Sequence, residues 1–218
     1  MQLKYLAHSA FLLTSNEKTT VLTDPYEAGS FNGMVNYAPI DEHADIITIS
    51  HSHADHSFIA PHHQQATILN QAKKINRLDT EIFGTSTFHD QASGQERGEN
   101  IVFTIKIAGI TFCHLGDLGH RLDDSHLEKI GPIDVLLIPV GGIYTINAAE
   151  ATVIMDMLAP KICIPMHYKT TKLLFDLAPV DAFIHDKKNV KILATSQIEL
   201  TKNHLPSTTE ILVFTPEK

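Results

Sequence analysis

The apolar positions fall into short continuous runs set off by turn residues, a pattern of strands more than of long helices. At the start, KYLAHSAFLLTS and TTVLTDP, joined by the turn-like NEK, predict two strands. An irregular stretch rich in Gly, Asn and Pro follows, from Tyr26 to about Glu42. ADIITIS is a run of the kind expected for a strand buried on both faces. IFGTSTFHD predicts another strand before the polar loop QASGQERGEN, and IVFTIKIAGITFCHLGD a hairpin turning at Ala108-Gly109. DDSHLEKIG, with an acidic start and a glycine stop, suits a short helix. Beyond it, PIDVLLIPVGG and KICIPMH predict buried strands, NAAEATVIMDMLAP and TTKLLFDLAP helices, and VKILAT and EILVF late strands. Strands thus come in runs, with helices among the later ones and no repeat or linker. This order predicts a layered α/β architecture with two sheets, in a single domain over residues 1–218.

Composition narrows the function classes. The formal charge of -8 argues against a nucleic-acid surface, which is normally basic. Both cysteines, Cys113 and Cys163, sit in apolar runs and read as buried thiols of a reducing compartment. The first residues lack the charged and apolar regions of a secretory leader, and no apolar run is long enough to span a membrane. The expectation is a cytoplasmic protein acting on a small molecule, with neither membrane nor nucleic acid as partner.

Histidine is the outlier, with 14 in the chain. His62, His63, His126, His185 and His204 stand in polar surroundings without partner spacing. SHSHADHS, residues 50–57, is different. Side chains two apart in extended backbone point the same way, so His51 and His53 face one ion from the end of the ADIITIS strand. Asp55 and His56 follow where the chain turns and face a second ion. Four ligands cannot close two metal sites, so others must come from elsewhere. His89, Asp117 and His167 each end a strand-like run. His114, three residues before Asp117, points to the opposite side of its strand and reads as a buried, hydrogen-bonded histidine. His120 lies in a loop able to return an imidazole to the site.

SHSHADH, FHD, HLGDLGH and IPMHY, in this order, resemble the metallo-β-lactamase superfamily. LAHSAFLL, VLTDP, RGEN, VLLIPVGGIYTINAAEA and PMHYKT extend the resemblance over nearly the whole chain, toward the branch of ascorbate-6-phosphate lactonase and many metal-dependent hydrolases. The resemblance implies a four-layer αββα sandwich with the metals at one edge between the sheets. It makes His51, His53 and His89 ligands of a first metal, Asp55, His56 and His167 ligands of a second, and Asp117 the carboxylate bridging both. Asp24 matches a position that orients a ligand histidine through its free ring N–H. His8, His120, Arg97, Asn100, Tyr144 and Lys169 lie on family-like segments near the site. Asp55 and His120 are the expected catalytic groups. Arg97 and Lys169 are expected to hold an anionic group, with Asn100 and Tyr144 lining the substrate pocket. Family members often form homo-oligomers.

Two divalent ions about 3.5–4 Å apart hold a water as hydroxide and polarise the electrophile. The mixed His/Asp set suits Zn²⁺, and is compatible with Mn²⁺, Fe²⁺ or Ni²⁺. The expected reaction is hydrolysis of a small ester-like bond in a lactone, phosphodiester or amide. Two alternatives stand beside it. One is a phosphodiesterase of cyclic or short nucleotides, which base-stacking aromatics at the pocket would favour. The other is a metal-binding regulatory protein without turnover.

Overall fold

The computed structural model describes all 218 residues. The chain runs through β1 (Gln2–Ala7), β2 (Ala10–Thr14) and β3 (Thr20–Thr23), a single turn α1 (Ser30–Gly33) and β4 (Ile46–Thr48). Short strands β5 (Thr67–Leu69) and β6 (Lys74–Arg77) precede the long β7 (Thr80–Phe88) and β8 (Glu99–Ile107), followed by β9 (Ile110–His114). Then come α2 (Asp124–Ile130), β10 (Val135–Pro139), α3 (Ala148–Leu158) and β11 (Ile162–Met166). The last elements are α4 (Asp181–Ile184), β12 (Val190–Ile192), β13 (Gln197–Glu199) and β14 (Glu210–Val213). None of the helices is long and apolar enough to cross a membrane.

Two mixed sheets result. One has the order β13-β1-β2-β3-β4-β5, the other β12-β14-β11-β10-β9-β8-β7-β6. Between them lies the main core, where Leu3, Phe11, Val21 and Ile46 meet Phe103, Ile105, Phe112 and Leu137. The outer face of the larger sheet packs Leu136, Ile138 and Cys163 under Ile154 and Met155 of α3 and Phe183 of α4. The outer face of the smaller sheet, with Leu6, Leu12, Leu22 and Ile47, is covered by Tyr26, Val35, Tyr37, Leu173 and Phe175 from irregular chain. The α/β sandwich expected from the sequence is therefore present, with one outer layer helical and the other built mostly of loops. Both cysteines are buried and free.

Two local expectations are corrected. KYLAHSAFLLTS is two strands, β1 and β2, which pair antiparallel around a turn at His8-Ser9. Its residues are buried on both faces, so no alternation marked the turn. TTKLLFDLAP forms no helix; Leu173, Phe175 and Leu177, spaced by two, are buried along irregular chain. The hairpin at Ala108-Gly109 forms as expected, with both residues at positive φ.

Candidate metal centre

The site collects at one edge of the sandwich, where several strands end. His8 lies in the β1–β2 turn, Asp24 just after β3, and His51 to His56 just after β4. His89 follows β7, Asp117 follows β9 and His167 follows β11. His8, Asp24 and His167 have left-handed backbone, with φ of 57°, 39° and 51°. Such a conformation costs a non-glycine residue about 1–3 kcal/mol and tends to persist where function requires it.

Two donor groups form. Ligand-capable atoms of His51, His53 and His89 lie within 4.8 Å of one another, as do those of His8, Asp55, His56 and His167. Asp117 stands between the groups. Its Oδ2 is 3.1 Å from His167 Nε2, 3.3 Å from His56 Nε2, 3.4 Å from His89 Nε2 and 3.8 Å from His51 Nε2. The Asp117 loop reaches this place because two glycines let it pass closely. A Cβ on Gly116 would fall 2.4 Å from Asn100 Oδ1, and one on Gly119 2.3 Å from the Asp90 backbone nitrogen.

A buried network sets which ring nitrogens face inward. Asp24 accepts from the Ser50 backbone N–H at 2.8 Å, from Ser50 Oγ at 2.5 Å and from His56 Nδ1 at 2.9 Å. With the Ser50 proton committed to Asp24, His51 Nδ1 at 2.9 Å donates to Ser50 Oγ. In their neutral form both imidazoles therefore present an unprotonated Nε2 to the site. These two atoms and Asp117 Oδ1 are buried without a hydrogen-bond partner. Buried acceptors left this way are costly, and a cation between them would satisfy all three. The residues fit a metal.

Most charge states agree with that fit. Burial opposes ionisation of Asp117, but His167 and His56 hold it well below the usual carboxylate range. Asp55 is likewise lowered, because His56 and His8 outweigh its burial. Burial pushes His51 down to about 3 and His8 down to about 4. Neutral His51 and His8 beside ionised carboxylates are in the donor states that divalent metals require. His56 differs: burial opposes its charge, but Asp117, Asp55 and Asp24 outweigh this and raise it well above the usual imidazole range, so a metal would have to displace its proton.

The other sequence candidates divide. His8, with Nε2 3.0 Å from Asp55 Oδ2, joins the second group. Arg97 and Tyr144 line the cavity above Asp117, together with two residues the sequence did not single out, Phe31 and Phe175. Three assignments are corrected. His120 is no proton donor to the site: its Nε2 accepts from the Phe88 N–H at 3.1 Å and its Nδ1 lies 2.7 Å from the Arg121 carbonyl, so both nitrogens serve backbone. Asn100 is fully buried and does not line the cavity; it accepts from the Asp117 N–H at 3.0 Å and donates to Leu115 O and Thr87 Oγ1, fixing the loop that carries Asp117. Lys169 does not line the cavity. Its ammonium caps the Phe175 carbonyl at 2.5 Å. His114 belongs to neither donor group; Nε2 reaches Ser9 O at 2.9 Å and Nδ1 accepts from the Gly116 N–H at 3.1 Å.

Two further residues escaped the sequence reading. Ser50 links Asp24 to His51, a role no spacing announces. Asp90 accepts four backbone N–H groups, from Ala92, Gly94, Glu96 and Arg97, at 2.7–3.0 Å. The signal for it was an aspartate opening a loop rich in glycine, where a carboxylate commonly gathers amides.

Comparison with known proteins places the chain in a family. Residues 2–167 match the family described as the beta-lactamase superfamily domain. A UPF0173 metal-dependent hydrolase of Carboxydothermus hydrogenoformans is 30% identical over 196 residues, covering 78% of this chain and 85% of that one. One from Thermococcus kodakarensis is 27% identical over 220 residues, covering 88% and 96%. The crystal structure of a candidate Zn-dependent hydrolase of the metallo-β-lactamase superfamily from Thermotoga maritima superposes with a TM-score of 0.79. It is 34% identical, and the match covers 98% of this chain and 97% of that one. The chain belongs to the metallo-β-lactamase superfamily. Its curated relatives carry the name of metal-dependent hydrolases.

Proposed function

We propose that the 218 residues form one domain, a dinuclear metal-dependent hydrolase of a small ester-like substrate. One observation carries this reading: Asp117 stands between two groups of inward-facing donors, with its Oδ1 and the Nε2 atoms of His51 and His56 buried and unpartnered. His51, His53 and His89 would hold one ion and Asp55, His56 and His167 the other, with Asp117 shared. The donor set suits Zn²⁺ best. Such ions supply an activated water and polarise the bond it attacks. The chain does the rest. Asp24 and Ser50 keep His56 and His51 in the ligating tautomer. With burial favouring neutral His8, its Nε2–H donates to Asp55 Oδ2 and fixes that carboxylate toward the cavity. Phe31, Tyr144 and Phe175 narrow access for water above the donors.

The test is metal content and turnover measured together in wild type and Asp117→Asn. Wild type purified without chelator should carry about two transition-metal ions per chain and hydrolyse simple lactones or aryl esters. The nearly isosteric Asp117→Asn should fold, bind less metal and lose on the order of 10²-fold or more in rate. Unchanged metal and rate in the variant would overturn the reading.

A second reading has its own support. The three aromatic rings at the cavity are surfaces on which a nucleobase stacks. Under a cyclic-nucleotide phosphodiesterase reading, 2′,3′-cyclic AMP is hydrolysed faster than any aryl ester.

A further inference from the structure

The mouth of the cavity is an arc of rings that ends in a cation. Phe31 meets Phe175 edge-on with ring centroids 5.3 Å apart, and Phe175 meets Tyr144 edge-on at 5.8 Å. At the far end, the Arg97 guanidinium carbon stands 5.8 Å from the Tyr144 ring centroid. All four residues line the same cavity as Asp117.

Both ends of the arc are built with care that folding alone does not explain. Phe31 has φ 52° and ψ 48°, followed by Asn32 at φ 56° and Gly33 at φ 84°. A bulky residue avoids this left-handed region. The ring gains little burial in return, being 43% exposed. What the turn achieves is to set Phe31 at the cavity mouth. Its segment is clipped to the one carrying Phe175, since Leu174 N–H donates to Met34 O at 2.8 Å and Asn36 N–H to Lys172 O at 2.9 Å. At the other end, the amide cage of Asp90 closes the loop that presents Arg97. The guanidinium of Arg97 has only a loose partner, Glu96 at 3.4 Å, and so retains donors for a ligand.

Resting on the hydrolase reading of this site, we infer that the cavity selects substrates with a flat apolar ring bearing an anionic group. The ring lies against Phe31, Phe175 and Tyr144, where edge and face contacts suit planar apolar groups. The anion, a carboxylate or a phosphate, is taken by the planar fork of Arg97.

The metal-loaded full chain is assayed with ethyl acetate, phenyl acetate, 4-acetoxybenzoate and 4-acetoxyphenyl phosphate. At least one anionic ester should exceed phenyl acetate in kcat/KM by about tenfold, and the larger gain identifies the anion. Arg97→Gln should reduce that preference to about twofold or less. Phe31→Ala should lower the ratio of phenyl to ethyl acetate by about fivefold relative to wild type, with partial rescue in Phe31→Leu. Metal content, measured in each variant, separates effects on the mouth from damage to the donors. Ratios unchanged in both variants would overturn the inference. If no ester is hydrolysed, the hydrolase reading fails while the mouth remains testable by calorimetry with 4-hydroxybenzoate and phenol. Wild type should then bind the benzoate more tightly, and Arg97→Gln should weaken it about tenfold; equal binding of the two ligands would refute the inference.

Discussion

Over the larger sheet, α3 and α4 lay Ile154, Met155 and Phe183 on a regular apolar face. Over the smaller sheet no helix does this, since the single turn α1 has no buried residue, and residues 26–44 and 170–178 cross it as irregular chain. The irregular cover is held by individual bonds, such as Tyr26 Oη to Ala38 O at 2.8 Å and Tyr37 Oη with Thr170 Oγ1 at 2.6 Å. A helix covers a sheet efficiently but directs one stripe of side chains inward and the others to solvent. Irregular chain has no such period. Here it buries Leu173 and Val35 while sending Phe31 and Phe175 to the cavity. One cover serves the core alone, and the other serves the core and the cavity mouth together.

The donors belong to neither cover, since they stand on strand ends, and the largest effect is expected there. Asp24→Asn replaces a carboxylate that accepts from His56 Nδ1 and Ser50 Oγ with an amide that has one acceptor oxygen. Both donors bind Oδ2, while Oδ1 accepts the Ser50 backbone N–H, so the NH₂ must face either that N–H or His56 and Ser50 Oγ together. If it faces His56, the ring must change tautomer, and Nε2 then carries the proton and no longer ligates. Metal affinity should fall about 10–100-fold, the scale seen when the hydrogen-bond partner of a ligating histidine is lost. Titration against a competing chelator measures this. Unaltered affinity would mean that the donors are held by the sheets without Asp24.

Strand ends also explain what the sequence made legible. His51, His53, Asp55, His56, His89, Asp117 and His167 announce themselves because a polar residue closing an apolar run must lie where a strand meets a loop. The chemistry then follows from residue type. His8 was placed near the site only through resemblance, because the turn at His8-Ser9 has neither Gly, Pro nor Asn to mark it. His120 was on the right loop and Asn100 at the start of β8, but whether such a side chain meets backbone or cavity is settled by tertiary packing. The mouth was least legible. Phe31 depends on a left-handed turn, and Phe175 on a segment whose apolar residues were read at helical spacing when Leu173, Phe175 and Leu177 are spaced by two.

The comparison of covers sharpens with paired truncations. Ile154→Ala under α3 and Leu173→Ala under the irregular cover each remove a fully buried side chain. Each should cost about 2–5 kcal/mol of stability, read from denaturant unfolding. Their effects on catalysis should differ. Leu173 bridges to Val35, between the segments that carry Phe31 and Phe175. Leu173→Ala should therefore raise KM for aryl esters several-fold, whereas Ile154→Ala should leave KM alone. An equal change in KM would erase the distinction between the two covers.

Acid separates the donors from the mouth, with the smallest effect at the mouth. In the fold, burial lowers His51 from 6.5 to about 3, which favours its neutral form. The stability this gives is present above the unfolded value and is lost as pH falls from 6.5 toward 3. Protons also compete with the metal in that range, so bound metal and activity should leave together, and added metal should move the loss to lower pH. Asp90 behaves differently. Burial opposes its charge, but four backbone amides outweigh this and lower its pKa from 3.8 to about 2. A depressed carboxylate contributes stability above its unfolded value and loses it as pH falls from 3.8 toward 2. The loop from Asp90 to Gly98 should thus keep its order after the metal has gone. Hydrogen exchange at the amides of Ala92, Gly94, Glu96 and Arg97 reports this, with protection persisting until pH falls below about 3.8. Asp90→Asn, which has one acceptor oxygen for four amides, should lose part of that protection already at neutral pH. Because the same loop presents Arg97, the variant should also raise KM for an anionic ester by about threefold, with metal content unchanged. If loop protection and metal vanish together in wild type, the mouth and the donors are one cooperative unit, and the division between them does not hold.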